Sequence, residues 1–160
     1  MKTKLIIIIG SVLGLVIIIS CFVHFVSGVS ATYPAIKKYE YSGSFKQLMS
    51  NIRNYTSIDS NLSVKITDKV GTKKNGYATY VSIDIKGNPS DIEYSIECEE
   101  SNSGKLTKTT ISLVEAYDKT HNTGGYNKEA KGIKPLVNNF DINFITPLGN
   151  TQNIKITPLE

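Results

Sequence analysis

Residues 62–86, LSVKITDKVGTKKNGYATYVSIDIK, carry the clearest β-hairpin pattern in the chain. Apolar and polar residues alternate along both halves of this segment, with Leu62, Val64 and Ile66 in the first half and Val81, Ile83 and Ile85 in the second. The Asn75-Gly76 dipeptide between the halves favours a tight turn. The segment therefore predicts two antiparallel strands with one apolar face and one solvated face.

Two more strands are predicted after this hairpin. Turn-forming residues at 87–90 and 101–104 flank a segment in which Ile92, Tyr94, Ile96 and Cys98 alternate with polar residues. Residues 105–115 then predict a fourth strand, with Ile111 and Leu113 on one side. Consecutive strands joined by short turns indicate an antiparallel meander.

A helix is predicted immediately before the hairpin. Ser44 and Gln47 have the spacing of a capping box, and the apolar residues Phe45, Leu48, Met49 and Ile52 follow at helical spacing. Such an amphipathic helix needs an apolar partner surface, and the sheet offers one. Residues 32–43 before it, TYPAIKKYEYSG, are interpreted as a tether or an extended lead-in.

The carboxyl-terminal part gives a weaker pattern. Residues 118–132 are predicted to form a long polar loop, and Pro135 to open a short helix ending near Asn143, although 140–144 also alternates as a strand would. Residues 147–150 predict a turn and 153–157 a last short strand. The predicted fold class is α+β, one domain over 44–160, with an antiparallel meander of about four or five strands and a helix on one face. This order of elements resembles the architecture of cystatin-like and similar small α+β domains.

Residues 1–31 are predicted to be a hydrophobic anchor or signal segment. The run Leu5–Val26 has no charged residue if His24 is neutral, and it is long enough to span a bilayer core of about 30 Å. An uncleaved transmembrane helix is the main interpretation. Cleavage after Ala31 is a second interpretation, and lipidation of Cys21, within the lipobox-like Ile18–Cys21, is a third.

Charge predicts the orientation and excludes one class of partner. Lys2 and Lys4 before the run favour a cytoplasmic amino terminus, which places the domain outside the cytoplasm. The chain has a net charge of +4, of which these two lysines supply two, leaving the domain near +2. That charge is too small to indicate nucleic-acid binding. The anchor and the compact α+β pattern that follows it predict a bacterial envelope protein.

No catalytic, metal or cofactor site is predicted. Cys98 and His121 are the one possible thiol–imidazole pair in the domain, and Cys98 falls on the apolar side of its strand, where a thiol is unreactive. The carboxylates of 91–100 are spread along a strand face rather than around a point, which favours pairing with Lys65, Lys69 and Lys86 over calcium binding. No small-molecule substrate is indicated.

The sequence predicts a non-enzymatic binding or accessory protein that is anchored in the cell membrane by a single span. Membrane lipid would contact residues 5–26, and another envelope protein would contact the solvated sheet face or the 118–132 loop, where His121, Gly124, Gly125 and Tyr126 are the candidate contact residues. An alternative is a subunit that acts through its transmembrane helix, in which Gly10 and Gly14 have the spacing of a helix–helix contact. A secreted protein, cleaved or lipidated, is a further alternative.

Overall fold

The computed structural model describes residues 34–72, 76–87, 89–103 and 106–159. The predicted anchor, with Gly10, Gly14 and Cys21, lies outside these residues, as does Asn75 of the predicted hairpin turn. Among the helices of the described part, none has the length and apolar character needed to cross a bilayer.

Within the described residues, seven strands form one antiparallel sheet, which confirms the α+β class. The strands are β1 (Lys37–Tyr41), β2 (Leu62–Thr72), β3 (Gly76–Ile85), β4 (Ile92–Ser103), β5 (Leu106–Asp118), β6 (Thr123–Gly125) and β7 (Ile156–Leu159). Their order across the sheet is β2-β3-β4-β5-β1-β7, and β6 pairs with the end of β5. The hairpin and meander predicted over 62–115 are therefore β2 to β5, paired in sequence.

Two helical segments pack on the apolar side of the sheet. The first is α1 (Phe45–Thr56), and the second contains α2 (Ile133–Phe140), a π-helical turn (Asp141–Ile145) and α3 (Thr146–Gln152). The capping box at the start of α1 is confirmed, since the Ser44 hydroxyl accepts from the Gln47 amide and the Gln47 side chain accepts from the Ser44 amide. It satisfies amides that would otherwise lack partners at the helix start.

The core lies between the sheet and these helices. Leu48, Met49 and Ile52 of α1 are buried there, as the helical spacing predicts, and so is Cys98 of β4. Phe140 stands at the centre, with ring centroids of Tyr94 and Phe144 4.8 Å and 5.3 Å away. Burial of large aromatic side chains of this kind supplies much of a small domain's stability.

The segment 32–43 is not only a tether. Its residues Lys37–Tyr41 form β1, which lies between β5 and β7 and gives the sheet more strands than the four or five predicted. Tyr39 and Tyr41 project into the core, and Tyr39 is fully buried. Burying two aromatic side chains outweighs the ordering cost of this short strand.

The predicted turn at 147–150 is wrong. Pro147 lies in the first turn of α3, and Leu148 beside it is fully buried. The preceding π-helical turn accounts for the proline, because the widened turn interrupts the regular backbone bonds just where proline lacks an amide hydrogen. Helix α2 also begins before Pro135, which occupies its first turn, where a proline is tolerated.

Candidate functional site

The 118–132 segment is tied to the sheet, contrary to the long free loop that its composition predicts. Asp118, at the end of β5, accepts hydrogen bonds through Oδ1 from the amides of Thr120 and His121, both at 2.9 Å. Its Oδ2 lies 2.9 Å from His121 Nδ1, and the Ser90 hydroxyl lies 3.1 Å from the same nitrogen. These bonds join the β3–β4 connection to the turn after β5.

The Ser90, Asp118 and His121 side chains do not form a catalytic triad. In a triad the carboxylate and the serine contact opposite ring nitrogens, so that the imidazole relays a proton between them. Here both groups contact Nδ1, and the Asp118 bonds to backbone amides are those of a turn cap. This set of three residues is best explained as a structural clasp.

We predict that the stability of the fold depends on pH through the Asp118 carboxylate of the clasp. Burial opposes ionisation, but the bonds from the amide and ring of His121 outweigh it and lower the pKa of Asp118 to about 2. Because folding lowers the pKa of Asp118, its ionised carboxylate stabilises the fold above about pH 4. This stabilisation is lost as the pH falls towards 2. We expect Asp118→Asn to lower the Tm at pH 7, and the gap to the wild type to close between about pH 4 and pH 2. A Tm difference that stays constant over this range would contradict the assignment.

The structure separates the two residues of the possible thiol–imidazole pair. Ile92 pairs with Asp118, next to His121, whereas Cys98 lies six residues further along β4, roughly 20 Å away at ~3.3 Å per residue. Cys98 is buried in the core, and burial raises the pKa of its thiol to about 12. The Cys98 thiol therefore stays protonated and packs as an apolar group.

The glycines predicted as contact residues have structural roles. Gly124 and Gly125 form β6, and the Gly124 amide donates to the Lys131 carbonyl at 2.9 Å. Gly124 has a φ of +106°, and a Cβ there would lie 2.1 Å from the Ala116 carbonyl oxygen. Of the four candidate contact residues, the exposed ones are His121 and Tyr126.

An open groove of about 470 Å³ lies beside the start of β1. We name it the lysine groove, and its lining residues are Ile36, Lys37, Lys128, Glu129, Ile133, Lys134, Val137, Asn138 and Asp141. They come from three places: the chain leading into β1, the end of the 118–132 segment, and α2 with the residue that follows it. The groove thus combines an apolar floor with lysine ammonium groups.

Asp141 fixes one wall of the lysine groove. The Lys37 ammonium donates to Asp141 Oδ2 at 2.5 Å, and the Tyr39 hydroxyl donates to Oδ1 at 2.6 Å. Burial, together with the bond to Asp141, raises the pKa of Tyr39, so its hydroxyl remains a donor. Lys37 is therefore held in place, whereas the exposed Lys128 and Lys134 enter none of the ion pairs seen within the described ranges.

The solvated side of the sheet is a second candidate surface, which we name the acidic face. Cross-strand pairing places on it the carboxylates Glu40, Asp68, Asp84, Glu93, Glu97, Glu99 and Glu115 and the lysines Lys38, Lys65 and Lys108. Both helical segments pack on the other side, so nothing in the described part of the chain covers this face. Its carboxylates outnumber its lysines, even when Lys119, whose ammonium reaches Asp84 and Glu93, is counted with them.

The partners of these carboxylates differ from those predicted. Lys119, rather than Lys65, Lys69 or Lys86, bridges Asp84 at 2.7 Å and Glu93 at 2.9 Å. Lys69 instead lies over the Tyr77 ring, 4.4 Å from its centroid. A bulge between Ile66 and Asp68 shifts the register of β2, which the alternating pattern does not reveal.

Sequence reasoning missed the lysine groove, because its walls come from distant parts of the chain. Lys37 and Asp141 are 104 residues apart. One local signal exists: Lys128, Lys131 and Lys134 recur every third residue around the start of α2. No protein-family model, curated protein or solved structure matches the chain.

Proposed function

We propose that the chain is a membrane-anchored, extracytoplasmic binding protein without catalytic activity, and that its acidic face contacts a basic surface of another envelope protein. The observation that supports this proposal is a broad sheet face with excess carboxylates that the described residues leave uncovered. Complementary charge across such a face would favour encounter with a basic partner and exclude acidic ones.

The acidic face is preorganised for such a contact. Ser95 donates to Glu115 at 2.8 Å, and Ser82 donates to Glu93 at 3.2 Å. Lys119 holds Glu93 from the other side. Side chains that are already fixed lose less conformational entropy when a partner binds.

Glu97 and Glu99 supply the attraction for a cation. Burial and the nearby charge of Glu99 raise the pKa of Glu97, and the bond from Tyr80 together with the charge of Lys38 only partly offsets them. These two carboxylates repel each other and have no ion pair within 4 Å among the residues described. A lysine or arginine from a partner would relieve that repulsion, so we place the centre of the contact here.

Site-specific photo-crosslinking in the native membrane tests this function. With a photoreactive phenylalanine in place of Tyr80 on the acidic face, we expect a discrete adduct with one envelope protein. The double variant Glu97→Lys with Glu99→Lys should reduce that adduct at least tenfold, because it replaces attraction with repulsion. Stability should change little, because both positions lie on the solvated side of the sheet and the variant exchanges one pair of like charges for another.

The control is the same photoreactive residue in place of Ile58, which is exposed beyond the end of α1 on the helical side. An adduct that survives the double charge reversal, or that forms equally from position 58, would contradict the proposed face. Intact mass of the extracted protein tests the anchor separately. A full-length mass supports the membrane helix, an acylated mass starting at Cys21 supports the lipoprotein alternative, and a mass starting at Thr32 overturns anchorage.

A further inference from the structure

We propose that the lysine groove docks on the membrane surface and binds the headgroups of anionic phospholipids. This inference rests on the anchorage included in the proposed function. The occupant of the groove would be the lipid surface itself, with phosphate groups between Lys128 and Lys134 and lipid glycerol and upper chain carbons over the apolar floor.

The charges of the groove are suited to an anionic surface. Lys128 and Lys134 are exposed and enter no ion pair in the described part of the chain, and Lys131 between them is also exposed. Asp141 is already neutralised by Lys37, which leaves Glu129 as the opposing charge in the lining. A lysine near an anionic membrane strengthens binding by roughly fivefold.

The floor of the groove suits the same ligand. Ile36 and Ile133 are buried there, and Val137 is partly buried. Lysine side chains around an apolar surface can lay their methylene groups on it and extend the ammonium to phosphate. A groove of this composition matches the membrane interface better than it matches a purely ionic ligand.

The chain itself holds the groove near the bilayer. Lys37, which lines the groove, follows the predicted end of the membrane span at Val26 by eleven residues, so fully extended chain would keep it within roughly 40 Å. Tethering of this kind gives a high effective concentration, so contacts too weak to recruit a free protein suffice to orient an attached one.

The acidic face and the lysine groove together would orient the domain on an anionic membrane. The acidic face lies on the side of the sheet opposite α2, the helix that lines the groove. An anionic membrane repels its carboxylates and attracts the lysines of the groove, so the groove would turn towards lipid and the acidic face away from it. The acidic face would then be free to meet a partner.

Amine footprinting of the full chain in lipid nanodiscs tests the inference. We compare discs of phosphatidylcholine alone with discs that contain about one third phosphatidylglycerol, and measure the acetylation rates of individual lysines by mass spectrometry. In anionic discs we expect Lys128 and Lys134, with Lys37 and Lys131 beside them, to react at least threefold more slowly than in neutral discs, and Lys86 to react equally in both. Half-molar salt should abolish the difference, because it shortens the Debye length to about 4 Å.

Charge-reversal variants identify the groove as the cause. Lys128→Glu with Lys134→Glu should remove the protection of Lys37 and Lys131 in anionic discs, whereas the matched control Lys65→Glu with Lys86→Glu, which makes the same charge change at exposed sites outside the groove, should retain it. Equal rates in both lipids, for chains that remain in the discs, would overturn the docking inference and leave the anchored function standing. A chain that does not stay in the discs would overturn anchorage, and docking with it.

Discussion

Replacing Phe140 with alanine is expected to remove a large part of the domain's free energy of unfolding. The side chain is fully buried, and its ring packs against Tyr94, Phe144 and Tyr39 at centroid distances of 4.8, 5.3 and 6.0 Å. Phenylalanine-to-alanine substitutions in such cores lower the free energy of unfolding by about 3–5 kcal/mol. A domain of this size has roughly 5–15 kcal/mol in total.

Chemical denaturation of Phe140→Ala beside Ile142→Ala measures this effect. Ile142 lies two residues further in the π-helical turn but is 58 % exposed, so its truncation removes few contacts and should cost less than about 1 kcal/mol. Equal losses for the two variants would mean that the aromatic cluster does not form the centre of the core.

Local patterns predicted the central part of the fold correctly. The alternation in 62–98 shows which side chains share the buried face of the sheet. Each strand there pairs with the strand next to it in the chain, so the pattern can be read locally. The Ser44–Gln47 capping box likewise depends on atoms within one helical turn. Where the interactions that determine an element are local, the sequence alone is sufficient to predict that element.

Long-range packing explains the elements that were missed. The five-residue segment of β1 is too short to show a clear alternation, and it becomes a strand because Tyr39 and Tyr41 find a core built from residues far along the chain. Pro147 and Gly149 each indicate a break in helix, yet the buried side chains of Phe140, Phe144 and Leu148 keep the segment helical.

The candidate sites were predicted only in part for the same reason. The solvated sheet face follows from alternation, so Glu93, Glu97 and Glu99 were identified on it, whereas the pairing of Glu93 with Lys119 depends on how β5 ends. The lysine groove depends on the contact between Lys37 and Asp141, which no local pattern encodes. The Gly124-Gly125 pair was noticed for a possible contact role, although its role is conformational.

Gly124→Ala is expected to lower the free energy of unfolding by roughly 3 kcal/mol or more. The residue adopts a φ of +106°, which is costly for alanine, and its Cβ would lie 2.1 Å from the Ala116 carbonyl oxygen and 2.7 Å from Leu136 Cδ1. Since β6 lies against β5 here, relief of the overlap would break this pairing and the bond from the Gly124 amide to Lys131. Thermal and denaturant unfolding measure the loss.

Gly125→Ala separates the steric cause from the backbone cause. Gly125 has a similar φ of +134°, but the nearest atom to its added Cβ is the Ala130 Cβ at 4.0 Å, so alanine meets the conformational penalty alone, about 1–2 kcal/mol. If both variants lower the free energy of unfolding equally, the need for glycine at 124 does not come from close packing against Ala116. If Gly124→Ala is the worse of the two, as we expect, hydrogen exchange should also rise over 126–132. Because that segment positions Lys128 at the lysine groove, the glycine would then support the groove by holding β6 closed.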